Sequence, residues 1–176
     1  MALIFIDWEF TEFGRIGETC HPLSVGMVAE DGQRSLYVEL SSQTECSDFV
    51  TAQVLPQLNH VEVKDIASGA AEIQRWIARE AAPVMLVADS EYDLALVQYV
   101  APAIFTQAQV NFKNVLNDPG LGRYSLSETQ KQMVVSKIEH EMDDWFVANN
   151  KPRHHALNDA EALRWAWLKA IKTIGN

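Results

Sequence analysis

Asp7-Trp8-Glu9 sets two carboxylates two residues apart within a run, Ala2 to Phe10, that is otherwise almost entirely apolar or aromatic. Ile4, Phe5 and Ile6 favour a buried strand there. Successive strand side chains point to opposite faces, so Asp7 and Glu9 share one face about 6.6 Å apart, and Ile6, Trp8 and Phe10 share the other. That alternation turns Trp8 into the core and away from any ligand of the carboxylates. Paired carboxylates at the end of a buried strand raise each other's pKa unless a cation lies between them. Their oxygens suit Mg²⁺ and Mn²⁺. The competing reading is a strand that has simply emerged into solvent.

A second acidic group, Asp89, Glu91 and Asp93, follows the apolar run Val84 to Ala88. Ligands bind at strand ends in open α/β sheets, but acidic residues also suit the first turn of a helix. A third group is His154-His155-Ala156-Leu157-Asn158-Asp159. The last helix carries an apolar stripe at Leu163, Ala166, Trp167, Ala170 and Ile174, and counting back four from Leu163 places Asp159 on it. A carboxylate aimed at the core needs a partner, which a metal shared with Asp7 would provide. The alternative is an ordinary helix cap. A loop histidine before it could act as a general base on water.

Together, Asp7-x-Glu9, then Asp93 on the helix after a central strand, then His154-x-x-x-x-Asp159, resemble the DEDDh 3′–5′ exonuclease family in order and spacing across most of the chain. The resemblance implies an RNase H-like fold and two Mg²⁺ or Mn²⁺ ions held by Asp7, Glu9, Asp93 and Asp159. One ion would activate water and the other would stabilise the leaving 3′ oxygen, with His154 as the base. Within the family, Phe5–Phe10 and Pro22–Gly32 are similar to the short bacterial exoribonucleases RNase AS and RNase T. That implies a homodimer acting on single-stranded RNA 3′ ends, adenylate-rich in the RNase AS case, or on single-stranded DNA. Phe10, Thr11 and Phe13 match positions where family members touch the terminal nucleotides. Many members carry Asn where this chain has Asp89; here Asp89 reads as a helix cap in preference to a fifth site carboxylate. His155 lacks the spacing of His154 and reads as its neighbour.

The elements that must position these residues form one domain over residues 1–176. Strands are expected at 2–10, 23–30 and 34–40, the last two joined by an Asp31-Gly32 turn into an antiparallel meander. Helices follow over about 47–58 and 68–80, then a parallel, covered strand at 84–88 and a helix through Tyr99. A short strand at 109–112, a loop at 117–124, a polar helix over 126–149 and a last helix at 159–174, ended by Gly175, complete the chain. Trp165 and Trp167 on the last helix serve the core or a subunit interface. This order gives an α/β domain with a mixed sheet covered on both faces.

The chain has 176 residues, 48% hydrophobic and 22% charged, ordinary for a folded domain. Its net charge of −10 argues against a broad phosphate-binding groove and leaves cations as the route to an anionic substrate. No apolar run approaches a membrane span, and the N-terminus lacks a basic leader, so the cytosol is expected and a membrane partner is not. Cys20 and Cys46 are expected as free thiols. Against an exoribonuclease stand a DNA exonuclease or oligonucleotide scavenger with the same chemistry, a phosphohydrolase of small nucleotides, and a catalytically idle binding module.

Overall fold

In the computed structural model, which describes all residues except 43, 61, 81, 82, 105–109 and 174–176, Ala2–Phe10 forms strand β1. Strands β2 (Pro22–Ala29), β3 (Ser35–Glu39), β4 (Val84–Ala88) and β5 (Val110–Asn114) join it in the order β3-β2-β1-β4-β5. β1, β2 and β3 form the expected antiparallel meander, while β4 and β5 run parallel to β1. The Asp31-Gly32 turn closes because Gly32 takes a positive φ and Asp31 accepts the Gln33 N–H at 2.9 Å.

Among the described residues, five α-helices, α1 (Asp48–Gln53), α2 (Ile66–Ile77), α3 (Glu91–Val100), α4 (Glu128–Asn149) and α5 (Ala156–Lys172), pack with the sheet. They cover both faces of the sheet, as the strand alternation requires. Ile4, Ile6 and Trp8 enter a core with Ile73 and Trp76 of α2 and Leu96 and Val97 of α3. Leu3 and Phe5 enter the opposite core with Ile138 of α4 and Leu163 and Trp167 of α5. Trp167 is a core residue, its indole N–H donating to the Pro119 carbonyl at 2.9 Å. Cys20 and Cys46 are free. Among the described residues no helix is long and apolar enough to cross a membrane.

Among the boundaries that differ from the sequence reading, two bear on the site. α1 is short, giving way to a 3₁₀ turn at Leu55–Gln57 because Pro56 cannot continue the α-helical ladder. α5 begins at Ala156, three residues before Asp159, so Asp159 lies in the first turn and is not the first helical residue. The expected strand start at Gln109 and helix end at Ile174 and Gly175 lie outside the described residues.

β4 pairs with β1 only from Ala2 to Phe5. The last residues of β1 thus run past the end of β4, leaving backbone groups without a strand neighbour on that side. The candidate site occupies this place.

Candidate active site

Beyond the end of β4, the Trp8 N–H donates to Asp93 Oδ1 at 3.0 Å. A side chain from α3 stands in for the missing strand, which fixes Asp93 beside Asp7 and Glu9. Trp8 itself is buried in the core, as strand alternation predicts. On the other side, Gly26 of β2 lies opposite Asp7, and the start of α5 crosses directly over it. A Cβ at Gly26 would stand 2.2 Å from the Ala156 carbonyl oxygen and 2.2 Å from the Leu157 nitrogen. Only glycine lets α5 approach this closely, and the approach brings Asp159 to Asp7 and Glu9. Oxygens of Asp7, Glu9 and Asp159 lie within 4.8 Å of one another, as do those of Asp7, Asp89 and Asp93. Asp7 belongs to both sets.

These carboxylates line a cleft of about 600 Å³ with Phe10, Glu12, Phe13, Phe49 and His154, and among the described residues no Lys or Arg contributes to the lining. Burial and mutual repulsion make the acids resist ionisation, with Arg153 offsetting only part of the effect at Asp159. Burial holds Asp7 well above the usual carboxylate range, reinforced by Asp93, Asp159, Glu9 and Asp89. Burial and Asp159 push Glu9 up to about 8. Burial also lifts Asp159 to about 7, against the opposing effect of the His155 N–H that donates to its Oδ2 at 2.9 Å. Asp93 is raised by burial and by Asp89. Asp93 is 2% exposed, and its Oδ2 has no hydrogen-bond partner. A buried, unpaired carboxylate oxygen amid like charges is costly. An all-carboxylate donor set suits Mg²⁺ or Mn²⁺, so the residues present fit divalent cations.

His154 reaches the same cleft from the loop between α4 and α5. Its backbone is left-handed, with φ +62°. The loop is tied down around it: Arg153 pairs with Asp143 and lies 4.6 Å over the Phe146 ring, and its carbonyl accepts from Gln57 Nε2 at 2.6 Å. The Pro152 carbonyl accepts from Asn158 Nδ2 at 3.2 Å. Phe49 meets the His154 ring edge-on at 5.0 Å. Burial and then Arg153 lower the His154 pKa below its ordinary value, so the imidazole is neutral at neutral pH and can accept a proton. His155 points elsewhere, stacking on Tyr37 at 4.5 Å.

His154→Gly should unfold at higher temperature than His154→Ala, by about 1 kcal/mol of stability, because only glycine adopts this backbone without cost. Both variants lose the imidazole and the Phe49 contact, so thermal melts of the pair isolate the backbone contribution. Equal melting temperatures would show that the loop imposes no strain.

The structure corrects one sequence expectation, on Asp89, and places Thr11 away from the cleft lining. Asp89 does not cap α3: Ser90 does, its Oγ accepting the Tyr92 N–H at 3.1 Å, and Asp89 faces the carboxylates instead. Thr11, expected at the substrate, is buried, with its hydroxyl donating to the Thr19 carbonyl at 2.9 Å and accepting the His21 N–H at 3.0 Å. It braces the loop after β1 and does not line the cleft. Phe10 and Phe13 do line it, in an aromatic cluster with Tyr92: Phe10 stacks on Tyr92 at 5.6 Å, and Phe13 meets both edge-on. Phe13 is 76% exposed.

The sequence reading misses Phe49, which is exposed at the cleft while its neighbour Val50 is buried. The available signal is their adjacency on a short helix, since neighbours there cannot both face the core.

No family sequence model matches the chain, and no curated protein matches it. Solved structures do. The zinc-bound complex of E. coli exonuclease I with single-stranded DNA matches with a TM-score of 0.64 at 15% identity, covering 98% of this chain and 40% of that one. This chain therefore spans two fifths of that protein's length. The nuclease domain of 3′hExo, a DEDDh family member bound to rAMP, matches at 0.58 and 12% identity over 98% of this chain and 92% of that one. S. pombe Pop2p, in a form with Mg²⁺ and Mn²⁺ bound, matches at 0.52 and 14% identity over 96% and 81%. The fold is RNase H-like. At such identities the likeness carries the architecture alone.

Proposed function

We propose that this chain is a metal-dependent 3′–5′ exonuclease that prefers single-stranded RNA and releases nucleoside 5′-monophosphates. The observation that carries the reading is the pair of carboxylate sets sharing Asp7, with His154 in the same cleft. The fold supports it, since the matched structures include a nuclease bound to rAMP and an exonuclease bound to single-stranded DNA. Asp7, Glu9 and Asp159 would hold one Mg²⁺ or Mn²⁺, and Asp7 with Asp93 a second. The chemistry such cations supply is neutralisation of the scissile phosphate and acidification of the attacking water.

The chain's own residues do the rest. His154, neutral and held by its braced loop, takes the proton of the attacking water. Phe10, Phe13 and Phe49, which line the cleft, offer faces on which terminal bases stack. Such contacts need no basic groove, which accommodates the net charge of −10. The preference for RNA rests on the likeness of Phe5–Phe10 and Pro22–Gly32 to RNase AS. A DNA exonuclease is the second reading, favoured by the match to the exonuclease I complex.

Equal lengths of 5′-labelled single-stranded RNA and DNA, incubated with Mg²⁺ or Mn²⁺ and with EDTA as control, test the proposal. RNA should shorten stepwise and faster than DNA, and only with metal. Faster loss of DNA would transfer the reading to the second alternative. Intact strands of both kinds in the presence of metal would overturn it.

A further inference from the structure

Asp89 has no structural task that accounts for its place. It follows the last residue of β4, where a carboxylate would serve as the α3 cap, yet Ser90 fills that role with an extended backbone and its own hydroxyl. Among the described residues, the Asp89 carboxylate accepts from its own backbone N–H and no cation pairs with it. One turn along, Asp93 is 2% exposed, with Oδ1 on the Trp8 N–H and Oδ2 buried without a partner. Oxygens of Asp7, Asp89 and Asp93 come within 4.8 Å of one another, and among the described residues lining the cleft there is no Lys or Arg to offset them. The orphaned Asp93 oxygen is an independent sign that something other than protein completes this cluster.

We infer that Asp89 is a direct ligand of the second divalent cation, so that this cation is held by three carboxylates, from Asp7, Asp89 and Asp93. The inference rests on the reading above that the cleft holds cations, and it adds a consequence. A Mg²⁺ bound through one or two carboxylates depends on substrate phosphates to complete its coordination, whereas each added anionic ligand strengthens binding by the protein alone. The third carboxylate therefore lets the second site fill before nucleic acid arrives. The loaded cleft also keeps one more negative charge than a four-carboxylate site would, which favours departure of the anionic product.

Titration of the metal-free protein with Mn²⁺ and no nucleic acid, followed by the electron paramagnetic resonance of free Mn²⁺ and by calorimetry, tests this. The wild type should take up two ions. Asp89→Asn should keep the first and weaken the second by roughly tenfold or more. Glu91→Gln, which alters an exposed carboxylate held by Asn117 outside the cleft, should titrate like the wild type. Melts of the metal-free proteins check folding, and Asp89→Asn, which removes a like charge, should melt no lower than wild type. Identical titrations for Asp89→Asn and wild type would overturn the inference even if strands are shortened normally. Two ions in the wild type and one in Asp89→Asn would sustain it even if no strand is cut, in which case only the exonuclease reading fails. A wild type that binds no ion would overturn both.

Discussion

Asp7→Asn should lower strand-shortening turnover by about three orders of magnitude or more, while making the metal-free protein harder to unfold. Asp7 belongs to both carboxylate sets, so its replacement removes a ligand from each cation. No other acidic residue in the cleft has that position. The opposite effect on stability follows from the same geometry. Without metal, Asp7 is the buried acid that Asp93, Asp159, Glu9 and Asp89 all push toward protonation. An amide there removes a charge from the repulsion and can donate hydrogen bonds to the remaining carboxylates.

The pH dependence has a definite sign. Glu9 near 8 and Asp159 near 7 bind protons in the folded state at pH values where the unfolded chain has released them. Stability therefore falls as pH rises from the ordinary carboxylate range through about 8, by an amount on the order of a few kcal/mol. Thermal melts in EDTA should show the wild type losing stability between mildly acidic and mildly alkaline pH, and Asp7→Asn losing less. Added Mg²⁺ or Mn²⁺ should raise the wild-type melting temperature most at the alkaline end, because metal displaces those protons. A wild-type melting temperature that rises with pH in EDTA would contradict this account of the cleft.

Gly26→Ala should cost both stability and activity, though Gly26 carries no functional group. The added methyl would meet backbone of Ala156 and Leu157 at 2.2 Å, and backbone cannot rotate aside as a long side chain can. α5 must back away by an ångström or more, carrying Asp159 from Asp7 and Glu9. Overpacking of this kind costs about 1–3 kcal/mol, and a displacement of that size costs about a hundredfold in rate. The two readouts are a thermal melt and a turnover assay at saturating Mn²⁺. Retention of full activity and stability would show that α5 does not depend on the bare backbone of β2.

Much of this site is legible in the sequence because it lies on regular elements. Strand alternation places Asp7 with Glu9 and turns Trp8 into the core, and helical spacing from Leu163 sets Asp159 on a core-facing stripe. What escapes is decided by tertiary contact. Asp89 and Ser90 are both good caps, and which one caps α3 depends on where β4 releases the chain. Thr11 matches a motif position, yet the loop through Thr19 and His21 folds back over it. The left-handed backbone of His154 depends on Arg153, Asp143 and Gln57, which no local pattern connects. Gly26 reads as an ordinary strand residue until α5 is laid across it.

The most direct test of the central claim follows one single strand in two forms, linear and covalently circular, with Mn²⁺ and either wild type or Asp7→Asn. If the carboxylate cleft cuts from a free 3′ end, wild type releases a 3′-terminal label as mononucleotide at the outset, shortens 5′-labelled strands stepwise and leaves the circle intact. Asp7→Asn leaves both forms unchanged. Cutting of the circle, early release of a 5′ label, or equal digestion by Asp7→Asn would contradict the claim.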